Sequence, residues 1–266
     1  MTKPISLLTA VLFASALCAS ANSNTETFDT SLGSWTTTAH LTDYGMNLGW
    51  QNSANAGGTA GEVGGLITRY LGGGANDMPR ILDTVHFATP LDLTYSITVS
   101  GSMYLKDVAA SQDVNFGYFD SAATDPNAER LVLRIQSPSS AGTGLWRFRT
   151  AVNGSSGSRV TVANNTWDSA PLTFDLTWTP TGLGAGTLSG DVWNGATQLV
   201  LPSASVGANS AVFDCFGVWV DNASSTDATK TQYEYFDNVT YTIVPEPTAG
   251  LLLVMGMAAL AFRKRS

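Results

Sequence analysis

Apolar and polar residues alternate with a period of two along most of the chain between residues 22 and 243. Leu91, Leu93, Tyr95, Ile97 and Val99 alternate with Asp92, Thr94, Ser96, Thr98 and Ser100, the pattern of a strand with one buried and one wet face. Leu172, Phe174, Leu176 and Trp178 alternate with Thr173, Asp175, Thr177 and Thr179 in the same way. Leu131, Leu133 and Ile135 against Arg130, Arg134 and Gln136 make a third run, and Trp146 and Phe148 against Arg147 and Arg149 a fourth. Asn194-Gly195 marks a two-residue hairpin, and Asn153-Gly154 a looser one. Ala56–Gly65, with five glycines in ten residues, reads as a connecting loop. No stretch of this region keeps a helical period beyond about two turns. About a dozen short strands over some 220 residues predict one all-β domain, a two-sheet antiparallel β-sandwich of jelly-roll type.

Both ends depart from the alternation. Lys3, the apolar run Ile5–Leu17 and the small-x-small triplet Ala19-Ser20-Ala21 predict a signal helix over residues 1–21, cut by signal peptidase before Asn22. A buried core helix is the alternative, and Leu17 is too large for a good lipobox before Cys18. At the other end, Val244-Pro245-Glu246-Pro247-Thr248 precedes the apolar run Ala249–Phe262 and the basic tail Arg263-Lys264-Arg265. Two prolines around a glutamate keep that segment extended and open to an enzyme. Pro247–Phe262 would form a helix of ~24 Å, a short transmembrane span that flanking arginines can extend by snorkelling. Arg263, Lys264 and Arg265 then set the cytoplasmic side, with the preceding chain exported.

This order of triplet, apolar span and basic tail resembles the PEP-CTERM sorting signal of exopolysaccharide-producing Gram-negative bacteria, with Lys264 as the one departure. The resemblance implies processing by an exosortase at or near Pro245, Glu246 and Pro247. It also implies transient anchorage in the inner membrane, then delivery to the cell surface or extracellular matrix. An ordinary single-span tail anchor is the alternative. The division is therefore 1–21 signal, 22–243 sandwich and 244–266 sorting segment.

Composition narrows the chemistry. Only 13% of residues are charged, about half the ~25% of an ordinary soluble domain, so Ser and Thr supply most of the wet faces. Nine basic residues remain once Lys3 and the C-terminal three are set aside; against 21 acidic ones they leave −12 between Glu26 and Glu246. Such a chain repels nucleic acid and other polyanions and favours divalent cations. Two cysteines and two histidines leave little for a zinc cluster, a haem or a disulfide framework. Cys215, in an apolar run, reads as a small buried hydrophobe.

Glu26-Thr27-Phe28-Asp29, Leu32-Gly33-Ser34-Trp35 and Tyr235-Phe236-Asp237-Asn238-Val239-Thr240-Tyr241 together resemble carbohydrate-binding and concanavalin-like or laminin-G-like jelly rolls. That resemblance implies first and last strands lying side by side. The glycine-rich stretch from Trp50 to Gly65 is similar to one in bacterial surface proteins of this kind.

No catalytic constellation stands out. The family's Glu-x-Asp-x-(x)-Glu strand is absent, the five glutamates are scattered, and no G-x-S-x-G elbow occurs. His40 and His86 are the only histidines; Arg130, Arg134, Arg147 and Arg149 read as a solvated charged face. Calcium is the expected cofactor if there is one, held by Glu26 with Asp237 or by Asp120 with Asp125; ordinary turn and strand-end aspartates are the alternative. Asp237 shares its parity with Tyr233, Tyr235, Val239, Tyr241 and Ile243, so it needs a partner or a bulge. For stacking on sugar rings, Trp50, Trp167 and Trp193 are the candidates, because they sit near turns beside Asn or Asp. The expected role is glycan binding or a structural part in an exopolysaccharide matrix, without catalysis. A glycoside hydrolase or lyase on the same fold is the alternative.

Overall fold

The computed structural model describes residues 22–38, 40–69, 78–87, 90–107, 113–123, 129–137, 145–163, 167–221 and 227–244. The expected signal helix, the sorting segment with Pro245, Glu246, Pro247, Arg263, Lys264 and Arg265, and also Asp125, lie outside them. Among the described residues no helix is long and apolar enough to cross a membrane.

The alternation folds largely as it reads, except that the run Leu91–Val99 is broken by a turn at residues 93–95. In chain order the strands are β1 (Asn22–Glu26), β2 (Trp35–Thr37), β3 (Gly49–Gln51), β4 (Glu62–Arg69), β5 (Arg80–Asp83), β6 (Leu91–Asp92), β7 (Ser96–Asp107), β8 (Asp113–Phe119) and β9 (Arg130–Gln136). They continue with β10 (Leu145–Val152), β11 (Ser155–Ser156), β12 (Val160–Ala163), β13 (Pro171–Gly182), β14 (Ala185–Asn194), β15 (Thr197–Val206), β16 (Val212–Phe213), β17 (Cys215–Asp221) and β18 (Asp227–Val244). One sheet runs β15-β14-β13-β7-β18-β4-β3, with β1 also on β18; the other runs β11-β10-β9-β8-β17-β5-β2, with β12 also on β10. Both are antiparallel throughout, and the pair is a jelly-roll sandwich. Glycines 64 and 65, read as loop from the sequence, belong to β4. A Cβ on Gly64 would stand 2.0 Å from the Glu234 carbonyl oxygen, so close strand approach is what the glycine serves. The hairpin expected at Asn194-Gly195 turns one residue later, on Gly195-Ala196, since Asn194 still pairs with Thr197.

β18 organises the first sheet. β7 follows it on one side, while the other side is shared by β4, opposite Gln232–Phe236, and β1, opposite Val239–Ile243. First and last strands therefore lie side by side. Between these halves the pairing slips at Asp237–Thr240, and Asn238 adopts φ 51°. Such a bulge inserts one residue and reverses which side chains point inward. Before it Gln232, Glu234 and Phe236 face the core; after it Val239 and Tyr241 do. Tyr233, Tyr235 and Asp237 consequently lie on the outer side of the sheet, where Tyr235 and Asp237 are largely covered, and the parity they share with Val239, Tyr241 and Ile243 in the sequence is broken. Asp237 closes the bulge by accepting from Asn238 N (2.7 Å) and Asn238 Nδ2 (2.8 Å).

The core between the sheets is aromatic. Phe236 of the first sheet stacks on Phe116 of the second at 4.2 Å between centroids, and Tyr241 stacks on Phe216 at 4.7 Å. Trp146 and Trp178 are fully buried there, and Trp178 Nε1 donates to the Leu93 carbonyl at 3.0 Å. One inward group is out of character. Glu234 is fully buried, its Oε1 accepts from Gln232 Nε2, and its Oε2 has no partner. Burial pushes its carboxyl well above the ordinary value, the Gln232 bond opposing, so the folded protein holds it protonated. Its contribution to stability is complete below the unfolded value of ~4.3 and declines as pH rises above that, because only the unfolded chain then releases the proton. Urea titrations from pH 4 to pH 8 should show wild-type stability falling, with a smaller fall in E234Q and E234Q the more stable at pH 8.

Candidate functional site

The outer face of the first sheet is the wet face of the alternation, and register arranges its side chains in three neighbouring rows. The middle row runs Gln198, Trp193, Thr173, Ser102 and Asp237 across β15, β14, β13, β7 and β18. Beside it run Pro171, Tyr104 and Tyr235. On the other side run Val200, Asp191, Asp175, Ser100 and Thr240. Trp193 stands two strands from Tyr104, ~10 Å across the sheet, with Thr and Ser hydroxyls between.

The tyrosines form a platform. Tyr104 and Tyr235 lie directly opposite each other with ring centroids 5.8 Å apart; Tyr233 lies nearly parallel to Tyr235 at 6.3 Å. The Lys106 ammonium lies 6.0 Å from the Tyr233 ring centre. With Asn55, these four residues line a cavity of about 120 Å³ open to solvent. Burial, with the charge of Glu62 next, pushes the Tyr235 hydroxyl up to about 12, so it remains a hydrogen-bond donor across the physiological range.

One wall is the loop between β3 and β4, held by a carboxylate the sequence reading left unassigned. Glu62 is fully buried at the start of β4 and accepts from Ser53 Oγ (2.5 Å), Asn55 N (3.2 Å), Asn55 Nδ2 (2.6 Å) and Ala56 N (2.8 Å). Gly58, at φ +86°, passes so close to Asp237 that a Cβ would meet Asp237 Oδ2 at 2.9 Å. Burial, then the charges of Asp29 and Glu62, push the Asp237 carboxyl up to about 6 against its Asn238 hydrogen bond. Asp29 itself lies below its usual value because Thr59 and Thr27 donate to it.

Of the three tryptophans singled out in the sequence, one faces solvent. Trp193 is half-buried on the outer face. Trp167 is buried against Phe148. Trp50 packs on the core, with Nε1 donating to the Phe28 carbonyl at 2.7 Å. Proximity to a turn did not say which side of the sheet each ring would take. The tyrosine platform was missed because the bulge at Asn238 hides the outward parity of Tyr233 and Tyr235. Asp175 and Asp191 also escaped, since they are adjacent only through cross-strand register. Burial, then the charge of Asp191, raise the Asp175 carboxyl.

The expected cation ligands separate. Glu26 pairs with Val239 and points inward, whereas Asp237 points outward. Glu26 instead joins Asp83 and His86, and one ligand atom from each lies within 4.8 Å of the others. Asp83 is buried and already engaged: its Oδ2 accepts from Tyr241 Oη (2.6 Å) and lies 2.6 Å from His86 Nδ1, while Oδ1 accepts from Val85 N (3.0 Å). Burial alone would raise this carboxyl; the hydrogen bonds of Tyr241 and His86 overcome it and hold it below the usual value. Tyr241 thereby ties one sheet to the other. Asp120 sits in a turn, accepts from Ala122 N (2.8 Å), and pushes the neighbouring Glu129 carboxyl up through a shared hydrogen bond. Cys215 is buried, donates weakly to the Phe119 carbonyl at 3.3 Å, and is held as a thiol by burial.

No protein-family model matches the chain, and no curated protein matches its sequence. Solved structures match its fold. The winged bean acidic lectin complexed with methyl-α-D-galactose aligns with a TM-score of 0.51 at 9% identity, over 85% of this chain and 99% of that one. Lectin II from Ulex europaeus aligns with a TM-score of 0.51 at 11% identity, over 85% and 99%. Alginate lyase vAL-1 from Chlorella virus gives 0.46 at 12% identity, over 82% and 98%. At such identities the lectin matches establish the jelly-roll fold alone.

The placement of the tryptophans has a measurable signature. W167A should lose about 3–5 kcal/mol of unfolding free energy, the cost of a large core truncation. W193A should lose less than about 1 kcal/mol. Urea denaturation of the two variants checks both.

Proposed function

We propose that the chain is an exported, exosortase-processed protein of the cell surface or exopolysaccharide matrix, whose sandwich binds glycan without catalysis through the outer face of its first sheet. The observation that carries this reading is the Tyr104–Tyr233–Tyr235 platform with Trp193 on the same face, set among hydroxyls and carboxylates. Pyranose faces stack on aromatic rings, and Ser102, Thr173 and Asn55 supply donors and acceptors for the hydroxyls between. The jelly-roll fold, shared with a lectin solved in complex with a galactoside, supports the reading. The acidic setting favours neutral sugars there.

If a divalent cation accompanies the fold, Glu26, Asp83 and His86 are the residues to hold it. Calcium takes the two carboxylates, and the imidazole favours a transition ion instead. Either ion displaces the hydrogen bonds that Asp83 now accepts.

One observation favours an enzyme as the second reading. Asp175 and Asp191 face each other across neighbouring strands beside Trp193, with the Asp175 carboxyl raised. A pair of facing carboxyls is what a glycosidase uses as its acid and its nucleophile or base.

Calorimetric titration of the purified full chain with a panel of neutral oligosaccharides tests the two readings together. Binding without product release is expected, and Y235A and W193A should each weaken it by about five- to tenfold, roughly 1 kcal/mol of stacking. Product release that disappears in D175N or D191N while binding persists would replace the binding protein with the hydrolase. Binding unchanged in Y235A and W193A would remove this face from the function.

A further inference from the structure

The outer face of the second sheet carries a charge pattern that the aromatic groove leaves unused. Register lines up Arg80, Trp219, Asn115, Arg134 and Arg149 in one row over β5, β17, β8, β9 and β10. The next row is Asp221, Asp113, Gln136, Arg147 and Thr161. Arg159 precedes β12, whose Val160 stands opposite Phe148, so it continues the first row beyond Arg149.

The two ends of these rows differ. At one end Arg80 covers Trp219 at 4.8 Å and donates to the Ser121 carbonyl at 3.2 Å, over a small core of Met78, Leu82, Phe119, Val132, Ala151 and Cys215. Arg130 lies along the face, past the bare Gly117, to donate to Asn115 Oδ1 at 3.1 Å. The Arg134 Nε donates to Asp113 Oδ2 at 2.6 Å, and its Nη2 lies 2.8 Å from Asp221 Oδ2. Arg130 is buried and Arg134 mostly covered, both beside carboxylates, where the sequence had read a solvated face.

The other end is open and unbalanced. In these two rows Asp113 and Asp221 are the carboxylates, against Arg80, Arg134, Arg147, Arg149 and Arg159, with Arg130 alongside. Arg147 donates only to the neutral Gln136, at 3.2 Å. Arg149 and Arg159 make no hydrogen bond or ion pair among the described residues, and Arg159 is exposed. Like charges on adjacent strands destabilise a sheet. Burial, then the charges of Arg134 and Arg159, lower the affinity of Arg149 for its proton. A chain of net −12 over Glu26–Glu246, with acids to spare, leaves these cations unpaired together.

We propose that Arg147, Arg149 and Arg159 form a binding site for an anionic polysaccharide, carboxylated or sulfated, on the face of the sandwich opposite the aromatic groove. Guanidinium forks match carboxylate and sulfate geometry, and an anion seated among them turns mutual repulsion into attraction. A polymer with one charge per sugar suits three free cations. A duplex with a charge every ~1.7 Å meets the net acidity of the whole molecule. The site stands whether or not the aromatic groove binds sugar.

Affinity electrophoresis of the purified full chain, in gels containing polygalacturonate, dextran sulfate or duplex DNA, tests it. Retardation by polygalacturonate, by dextran sulfate or by both is expected, and the two gels distinguish carboxylate from sulfate. The double variant R149Q/R159Q should lose about tenfold in affinity or more, and R159Q alone, at an exposed side chain, a part of that. K230Q removes one charge elsewhere and Y235A alters the other face; both should bind the polyanions like wild type. Retardation in neither polysaccharide gel, an equal loss in K230Q, or stronger retardation by DNA would overturn the proposal.

Discussion

The bulge at Asp237 and Asn238 is the constraint on which the rest of the molecule depends. β18 must serve two neighbours on one side, β4 and β1, and must keep an aromatic core under both halves. A regular strand could bury Phe236 or Tyr241, but not both, because they differ in parity. One residue in the left-handed region, at Asn238, resolves the conflict. Asp237 holds that turn with its own carboxylate and is itself pushed outward, next to the tyrosines that become the platform. Core continuity and surface chemistry thus share one cause.

How much of this was legible in the chain follows from how each feature is encoded. Strand faces are written locally, so Leu172–Trp178 appears in the structure as its alternation reads; Leu91–Val99 keeps its apolar side inward but is broken by a turn at residues 93–95 into β6 and β7. The adjacency of first and last strands followed from a resemblance and is seen in the Asn22–Ile243 pairing. Features that need register, such as Asp175 beside Asp191 and Arg134 beside Arg149, were not legible, nor was Glu26 beside Asp83, which the packing of one sheet on the other brings together. Nothing local sets which residue of one strand faces which residue of another. The bulge left a trace only in Asp237, a carboxylate among apolar neighbours that called for a partner or a bulge; the tyrosines before it and Val239 and Tyr241 after it keep one parity in the sequence, so nothing local marked the change of face. Glu62 looked like one more scattered glutamate because the loop it secures closes only in three dimensions.

Charge is segregated rather than mixed on this sandwich. Asp29, Glu62, Asp175, Asp191 and Asp237 lie on or beside the first sheet's outer face, and burial, with their mutual repulsion adding to it, raises the carboxyls of Asp175 and Asp237. Apart from Arg69 of β4, the described arginines gather on the second sheet. With so few charges in the chain, such separation makes each face distinct to an approaching polymer.

The central position of β18 also fixes an order of events. Its partners β7 and β4 are synthesised far earlier, and until residues 227–244 emerge both present bare edges. Contacts spanning over 200 residues, such as Asn24 with Tyr241, are slow to form because a long loop must close first. The nascent chain therefore passes through a stage with sticky, unpaired strands, which calls for a holding chaperone or quick release before neighbouring copies can pair with them.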